Sequence, residues 1–162
     1  SRQYSIATLI LRDRDRAHDA VQEALVAAWR GLSALRDPDA WDAWVHRQTV
    51  RACYAAARKN RRRSLVELPA NPEVDLPAAD DAPTAFADRD LIERKLGRLP
   101  IDQRAVVVLH FYAALPLTEV AIVLGVPDGT VRSRLHRALE ALRISMAADE
   151  ATYTNRRQER PA

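Results

Sequence analysis

Cysteine is almost missing from this chain: Cys53 is the only one in 162 residues. No disulfide can close within it, and no cysteine-based zinc site can be built, which suits a reducing compartment. Glycine is equally sparse, with four in all, and none sits in a phosphate-cradling loop or a nucleophile elbow. The four histidines, His18, His46, His110 and His136, are scattered and lack metal-ligand spacing. Aromatics make up only 6% of the residues. No apolar run approaches the length that spans a membrane, and no signal peptide is visible. The expectation is a cytoplasmic chain with no catalytic residue, no cofactor and no metal. Asp19 and Glu23, one helical turn apart, read as solvated carboxylates rather than an acid pair, and Cys53 reads as packing.

Alanine, leucine and arginine dominate instead, and strand-favouring runs are few. That balance predicts an all-α fold. Charge is unevenly spread. Residues 1–63 carry 13 Arg/Lys against 7 Asp/Glu, residues 64–90 carry 1 against 7, and residues 91–162 carry 11 against 8. Two basic blocks flank an acidic connector, as in two nucleic-acid-facing units on a linker.

Helical periodicity divides the chain further. Residues 4–11 are an apolar stub, the end of a helix. Asp15 to Arg30 is amphipathic, with Ala17, Val21, Ala24, Leu25, Ala28 and Trp29 facing inward and Gly31 as the stop. Ala40 to Arg63 has no internal Gly or Pro. Trp41, Trp44, Val45, Thr49, Ala52 and Ala56 can line its core face. Arg47, Arg51, Tyr54, Arg58, Arg61 and Arg62 follow at about one-turn intervals and make a basic stripe with one aromatic. Arginine grips phosphate through its fork, and a tyrosine can stack on an unpaired base. Residues 64–85 contain Pro69, Pro72, Pro77 and Pro83 and are acidic, an extended linker. Helices resume from Phe86 to Leu96 and from Pro100 to about Ala113, the latter with Ala105, Val106, Val108, Leu109 and Tyr112 as its core. The tail from 149 to 162 is polar and expected to fray.

Leu117 to Leu142 is the most informative stretch. Leu117–Leu124 is a short helix with Val120, Ala121 and Leu124 inward. Gly125 can take the positive φ that ends it, and Pro127 opens the next helix. Val131, Leu135, Leu139 and Leu142 give that helix its inward stripe. Thr130, Arg132, Ser133, Arg134, His136 and Arg137 are left to reach outward, as a helix in a DNA major groove requires. An ordinary helical hairpin with a solvated arginine face has the same physical pattern.

Taken together, Glu119-Val120-Ala121, Gly125-Val126-Pro127 and Gly129 to Ala138 resemble the fourth conserved region of bacterial sigma factors of the extracytoplasmic-function group. Asp19 to Ala24, Ala28-Trp29-Arg30 and Trp41 to Arg47 resemble the second region of the same group. The two occur in the expected order, without the middle domain of primary sigma factors. The resemblance implies two small helical domains joined by a flexible linker: residues 1–63 as region 2, with the first helix largely missing, 64–85 as linker and 86–148 as region 4. It implies a subunit that directs core RNA polymerase to promoter DNA, with an anti-sigma factor as a further partner and no membrane insertion. Asp19, Gln22 and Glu23 match positions that dock on the polymerase. Trp44, Arg47, Arg51, Tyr54, Arg58, Arg61 and Arg62 match the part that opens and reads the −10 element. Thr130, Arg132, Ser133, Arg134, His136 and Arg137 match the helix that reads the −35 element. The chain departs from the pattern at Arg51 and Ala55, where many members carry Asn and Asp, and at Asp128, a carboxylate at the start of the recognition helix. The alternative is a stand-alone dimeric helix-turn-helix regulator. A helical interaction module with no DNA role is a third reading.

Overall fold

The computed structural model describes residues 1–66 and 84–158, with side chains described for residues 1–62 and 91–151. Seven α-helices and no strands occur among them. Helix α1 spans Arg2–Leu11, α2 Arg14–Gly31 and α3 Trp41–Val66. Two single 3₁₀ turns, Leu32–Ala34 and Pro38–Ala40, link α2 to α3. The later group is α4 (Thr84–Gly97), α5 (Ile101–Val107), α6 (Leu117–Leu124) and α7 (Asp128–Gln158). Most of the acidic connector lies outside the described residues.

Local chemistry sets the helix ends. Arg12 closes α1 in the left-handed region at φ 58°, and Asp13 then caps α2 by accepting from the Arg16 amide at 2.9 Å. An oxygen there satisfies one of the orphan amides of the first turn. Gly31 ends α2 without positive φ, at −92°. Its smallness matters instead, because an added Cβ would lie 3.0 Å from the Trp44 ring.

The chain's periodicity is least reliable where alanine competes with large apolar residues. On α2 the buried side is Ala17, Ala20, Val21, Ala24 and Ala28. Leu25 and Trp29, expected inside, are 53% and 79% exposed. The small residues let α1 and α3 approach closely, and the arc they occupy leaves Leu25 and Trp29 on the far flank. Trp41 is likewise exposed on α3, where Val45, His46, Thr49, Val50, Ala52 and Cys53 are buried.

After Val107 the helix widens into a π turn over Val108–Tyr112, with the Ala113 amide donating to Val108 O at 3.0 Å. The extra residue advances the register, as such bulges do. Tyr112, expected in the core, is therefore 46% exposed. Leu139 on α7 is also exposed rather than inward; Val131 and Ala138 are fully buried there. The helical tail is longer than expected, since α7 continues to Gln158.

The two helical groups are not separate in this structure. One core cluster runs from Ile6, Ala7 and Ile10 of α1 through Val50 and Cys53 of α3 to Val106, Leu109, Val120 and Val131. Polar bonds reinforce the seam. Arg2 donates to Ala113 O at 2.5 Å, Arg104 to Ile10 O at 2.6 Å and Arg47 to Ile122 O at 2.6 Å.

Candidate nucleic-acid and polymerase interface

The turn between α6 and α7 is built by backbone hydrogen bonds. Gly125, at φ 67°, donates to Ile122 O at 3.3 Å, and the Val126 amide reaches Ala121 O at 3.1 Å. This paired closure caps the carbonyls at the end of α6 and needs a left-handed residue, which glycine adopts without Cβ strain. Pro127 follows, and its carbonyl accepts from the Thr130 and Val131 amides to begin α7. Val120, Ala121 and Val131 are buried between the two helices, so the crossing is fixed by packing as well as by the turn.

That crossing decides which polar residues of α7 reach solvent. Arg132, Ser133, His136 and Arg137 are exposed, and Thr130 is half-buried. Ser133 Oγ donates to Thr130 O at 3.0 Å, back along its own helix. Arg134 is turned the other way. Its guanidinium pairs with Asp102 of α5 at 3.1 Å and is largely shielded from solvent. The outward set expected on this helix is thus divided: four side chains face solvent, and Arg134 is committed to a partner within the chain.

The stripe on α3 is divided in the same way. Arg51, Arg58, Arg61 and Arg62 are exposed. Arg47 is half-buried and bound to Ile122 O. Tyr54 is half-buried against the core, with its hydroxyl enclosed near the Asp102 carboxylate. Burial, followed by the nearby Asp102 carboxylate, raises its pKa well above the ordinary phenol value, with Arg134 opposing. Trp44 is half-buried, its ring 5.7 Å from that of Trp41. The residues expected on one basic face are therefore part solvent-facing and part internal.

A different face lies on α2. Asp19, Gln22 and Glu23 are all exposed, as a docking surface needs. Beside them the structure places Leu25, Val26 and Trp29, which are also exposed. Gln22, Glu23, Val26, Ala27 and Arg30 line a shallow surface groove. The residues at 22, 25, 26 and 29 share one side of a helix, so the polar and apolar groups form one mixed strip. Sequence reasoning missed its apolar half by assigning Leu25 and Trp29 to the core. The signal lay in the alanines at 17, 20, 24 and 28, which fill the inward arc by themselves.

Cys53 is fully buried, and burial pushes its thiol up to about 12. A thiol this far from ionisation is a packing group. Among the described residues no cluster of three metal-ligating side chains occurs, and no helix is long and apolar enough to cross a membrane.

Comparison with known proteins places this architecture. The family model described as Sigma-70 region 2 matches residues 1–63, and that described as Sigma-70, region 4 matches residues 89–142. The ECF RNA polymerase sigma factor SigM of Mycobacterium tuberculosis is 36% identical over 138 residues, covering 83% of this chain and 66% of SigM. The chain thus spans just under two thirds of that relative's length. SigL of the same organism is 33% identical over 138 residues, covering 83% of this chain and 76% of SigL. The RNA polymerase sigma-E factor of Streptomyces coelicolor is 35% identical over 134 residues, covering 82% and 72%. Among solved structures, the sigma factor RpoE of Bartonella quintana, crystallised with the anti-sigma factor NepR, shares the fold. It has a TM-score of 0.74, 23% identity and 91% coverage of both chains. CnrH, in complex with the cytosolic domain of CnrY, has a TM-score of 0.65 at 24% identity, covering 91% of this chain and 82% of its own. With both regions matched in order and relatives similar across most of their length, the chain belongs to the ECF RNA polymerase sigma factors.

Proposed function

We propose that this chain is a dissociable promoter-recognition subunit of bacterial RNA polymerase, acting in the cytoplasm and contributing no catalytic group of its own. The observation that carries the reading is the presence, on one chain, of two cationic helix faces and a third, uncharged-to-acidic face that is exposed among the described residues. The exposed side chains of α7 (Arg132, Ser133, His136 and Arg137, with Thr130 at the start) suit duplex DNA at the −35 element. Phosphate contacts position such a helix, and side chains at base edges give specificity. The stripe of Arg47, Arg51, Tyr54, Arg58, Arg61 and Arg62, with Trp44 behind it, suits separated strands at the −10 element. Arginine follows the backbone there, and aromatic faces stack on bases.

The strip on α2 is assigned to the polymerase. Asp19, Gln22 and Glu23 supply polar recognition, and Leu25, Val26 and Trp29 supply apolar area. An exposed tryptophan in a polar rim has the make-up of a binding hot spot. Residues 1–63 and 86–148 act as separate domains in the bound state, with 64–85 as the acidic linker between them. Held by the polymerase at fixed spacing, two weak DNA contacts reinforce each other through effective concentration. The known structure of RpoE with the anti-sigma factor NepR supports an anti-sigma factor as a second kind of partner.

Binding assays test this. The chain should be retained by immobilised core polymerase and should confer promoter binding on it. Binding to a palindromic duplex as a dimer, with no affinity for core, would instead establish a stand-alone regulator.

A further inference from the structure

We infer that Gly129 is a specificity-determining residue of α7: its missing side chain lets the first turn of the helix come against base-pair edges in the major groove. This inference rests on the promoter-recognition reading above. The chain has four glycines, and three of them have a reason inside the molecule. A Cβ on Gly31 would lie 3.0 Å from the Trp44 ring, and one on Gly97 would lie 2.8 Å from the Arg12 guanidinium. Gly125 adopts φ 67°. Gly129 has neither kind of reason. Its φ is not positive. Among the described residues, nothing beyond its chain neighbours and its own helix backbone lies within 4 Å of the place a Cβ would take.

A glycine in such a turn weakens the free chain. It loses more conformational freedom on folding than alanine does, and it gives the helix no side chain to pack. Neither the backbone nor the core of this chain requires it. The open space in front of Gly129 therefore serves something that the chain meets.

Its position identifies that partner. Gly129 is the second residue of α7. Arg132, Ser133 and His136 follow at i+3, i+4 and i+7, the spacing of one helix face, and all three are exposed. Gly129 thus heads the face assigned to duplex DNA. A recognition helix brings its N-terminal residues to the base edges. Thr130, the first residue of the assigned set, is half-buried, whereas Asp128 and Gly129 are exposed. The Asp128 carboxylate repels phosphate, but it can accept from the amino groups that cytosine and adenine show in the major groove. What approaches Gly129 is therefore a base edge rather than the sugar-phosphate backbone, at a separation that a Cβ would not allow. The same close approach brings Arg132 and Ser133 within reach of neighbouring bases.

The test compares Gly129→Ala and Gly129→Leu in the full chain bound to core polymerase. Both new residues form helix readily. The unaltered complex first selects duplexes from a random-sequence library. Anisotropy then gives the affinity for a selected duplex and for one of mixed sequence. Affinity for the selected duplex should fall about fivefold or more with alanine, the low end for one base contact, and further with leucine. Binding to the mixed-sequence duplex, held through phosphates, should change little. The melting temperature of the free alanine variant should rise by about 1–4 °C. A substitution that stabilises the chain and weakens its function marks a residue shaped for a partner. Unchanged affinity for the selected duplex in both variants overturns the inference. So does an equal loss on both duplexes, or an alanine variant that melts below the unaltered chain. Those results leave sequence selection by the unaltered complex intact. A complex that enriches no sequence overturns the inference together with the promoter-recognition reading.

Discussion

Arg134 and Asp102 face each other at 3.1 Å, the one from the second turn of α7 and the other from α5 behind it. The neighbouring Arg137 stands in solvent. Two arginines less than one turn apart therefore do different work. Arg137→Ala should lower affinity for the −35 duplex by about 1–3 kcal/mol, the value of a good base contact. Arg134→Ala should cost less, because its guanidinium is already engaged by Asp102. Anisotropy titrations at fixed salt compare them; equal losses would show that the pair with Asp102 has no bearing on binding.

Trp29 is 79% exposed and makes no contribution to the core. Trp29→Ala should weaken the complex with core polymerase by about 2 kcal/mol or more if it is a hot spot. It should leave the melting temperature nearly unchanged, since a surface substitution alters stability by about 0.5 kcal/mol or less. A pull-down in which the variant retains full core polymerase would remove the apolar strip from the interface.

Leu109, by contrast, is fully buried at the point where the π turn meets the shared core. Leu109→Ala should cost about 2–5 kcal/mol through lost transfer energy and the cavity left behind. The urea midpoint should fall accordingly; a shift of a few tenths would mean the site collapses around the deletion.

His46 offers a pH-dependent readout. Burial first, and then the charge of Arg2, hold its pKa below the ordinary 6.5, with Asp42 opposing. The folded state prefers the neutral ring, so the unfolded chain takes up the proton first. Stability is complete above about pH 6.5 and falls as pH drops through that value toward the lower folded pKa. Thermal melts across this range should show the loss, and His46→Asn should flatten it. An unchanged slope in the variant would assign the dependence to other groups.

Much of this was readable from the chain, for reasons specific to each element. Gly125 and Pro127 mark the α6–α7 turn because their backbone preferences act locally. The apolar spacing of Val120, Ala121 and Val131 then fixes the crossing. The one-turn spacing of arginines made legible that Arg51, Arg58, Arg61 and Arg62 of α3 and Arg132 and Arg137 of α7 reach solvent. The errors came from tertiary effects. Leu25 and Trp29 have core-like spacing, but alanines on the adjacent arc give closer packing and win the inward side. Tyr112 was displaced by a π turn that no periodicity announces. The fates of Arg47 and Arg134 depended on Ile122 O and Asp102, partners far away in sequence and visible only once the helices were packed.

The central claim, that the chain selects where polymerase begins, is tested most directly by mapping transcript start sites on a promoter library. Core polymerase alone, core with this chain, and core with Arg137→Ala would be compared. The account predicts discrete starts with the chain, a fixed distance downstream of a shared pair of sequence elements, and their loss or redistribution in the variant. Start sites indistinguishable from those of core polymerase alone would contradict it.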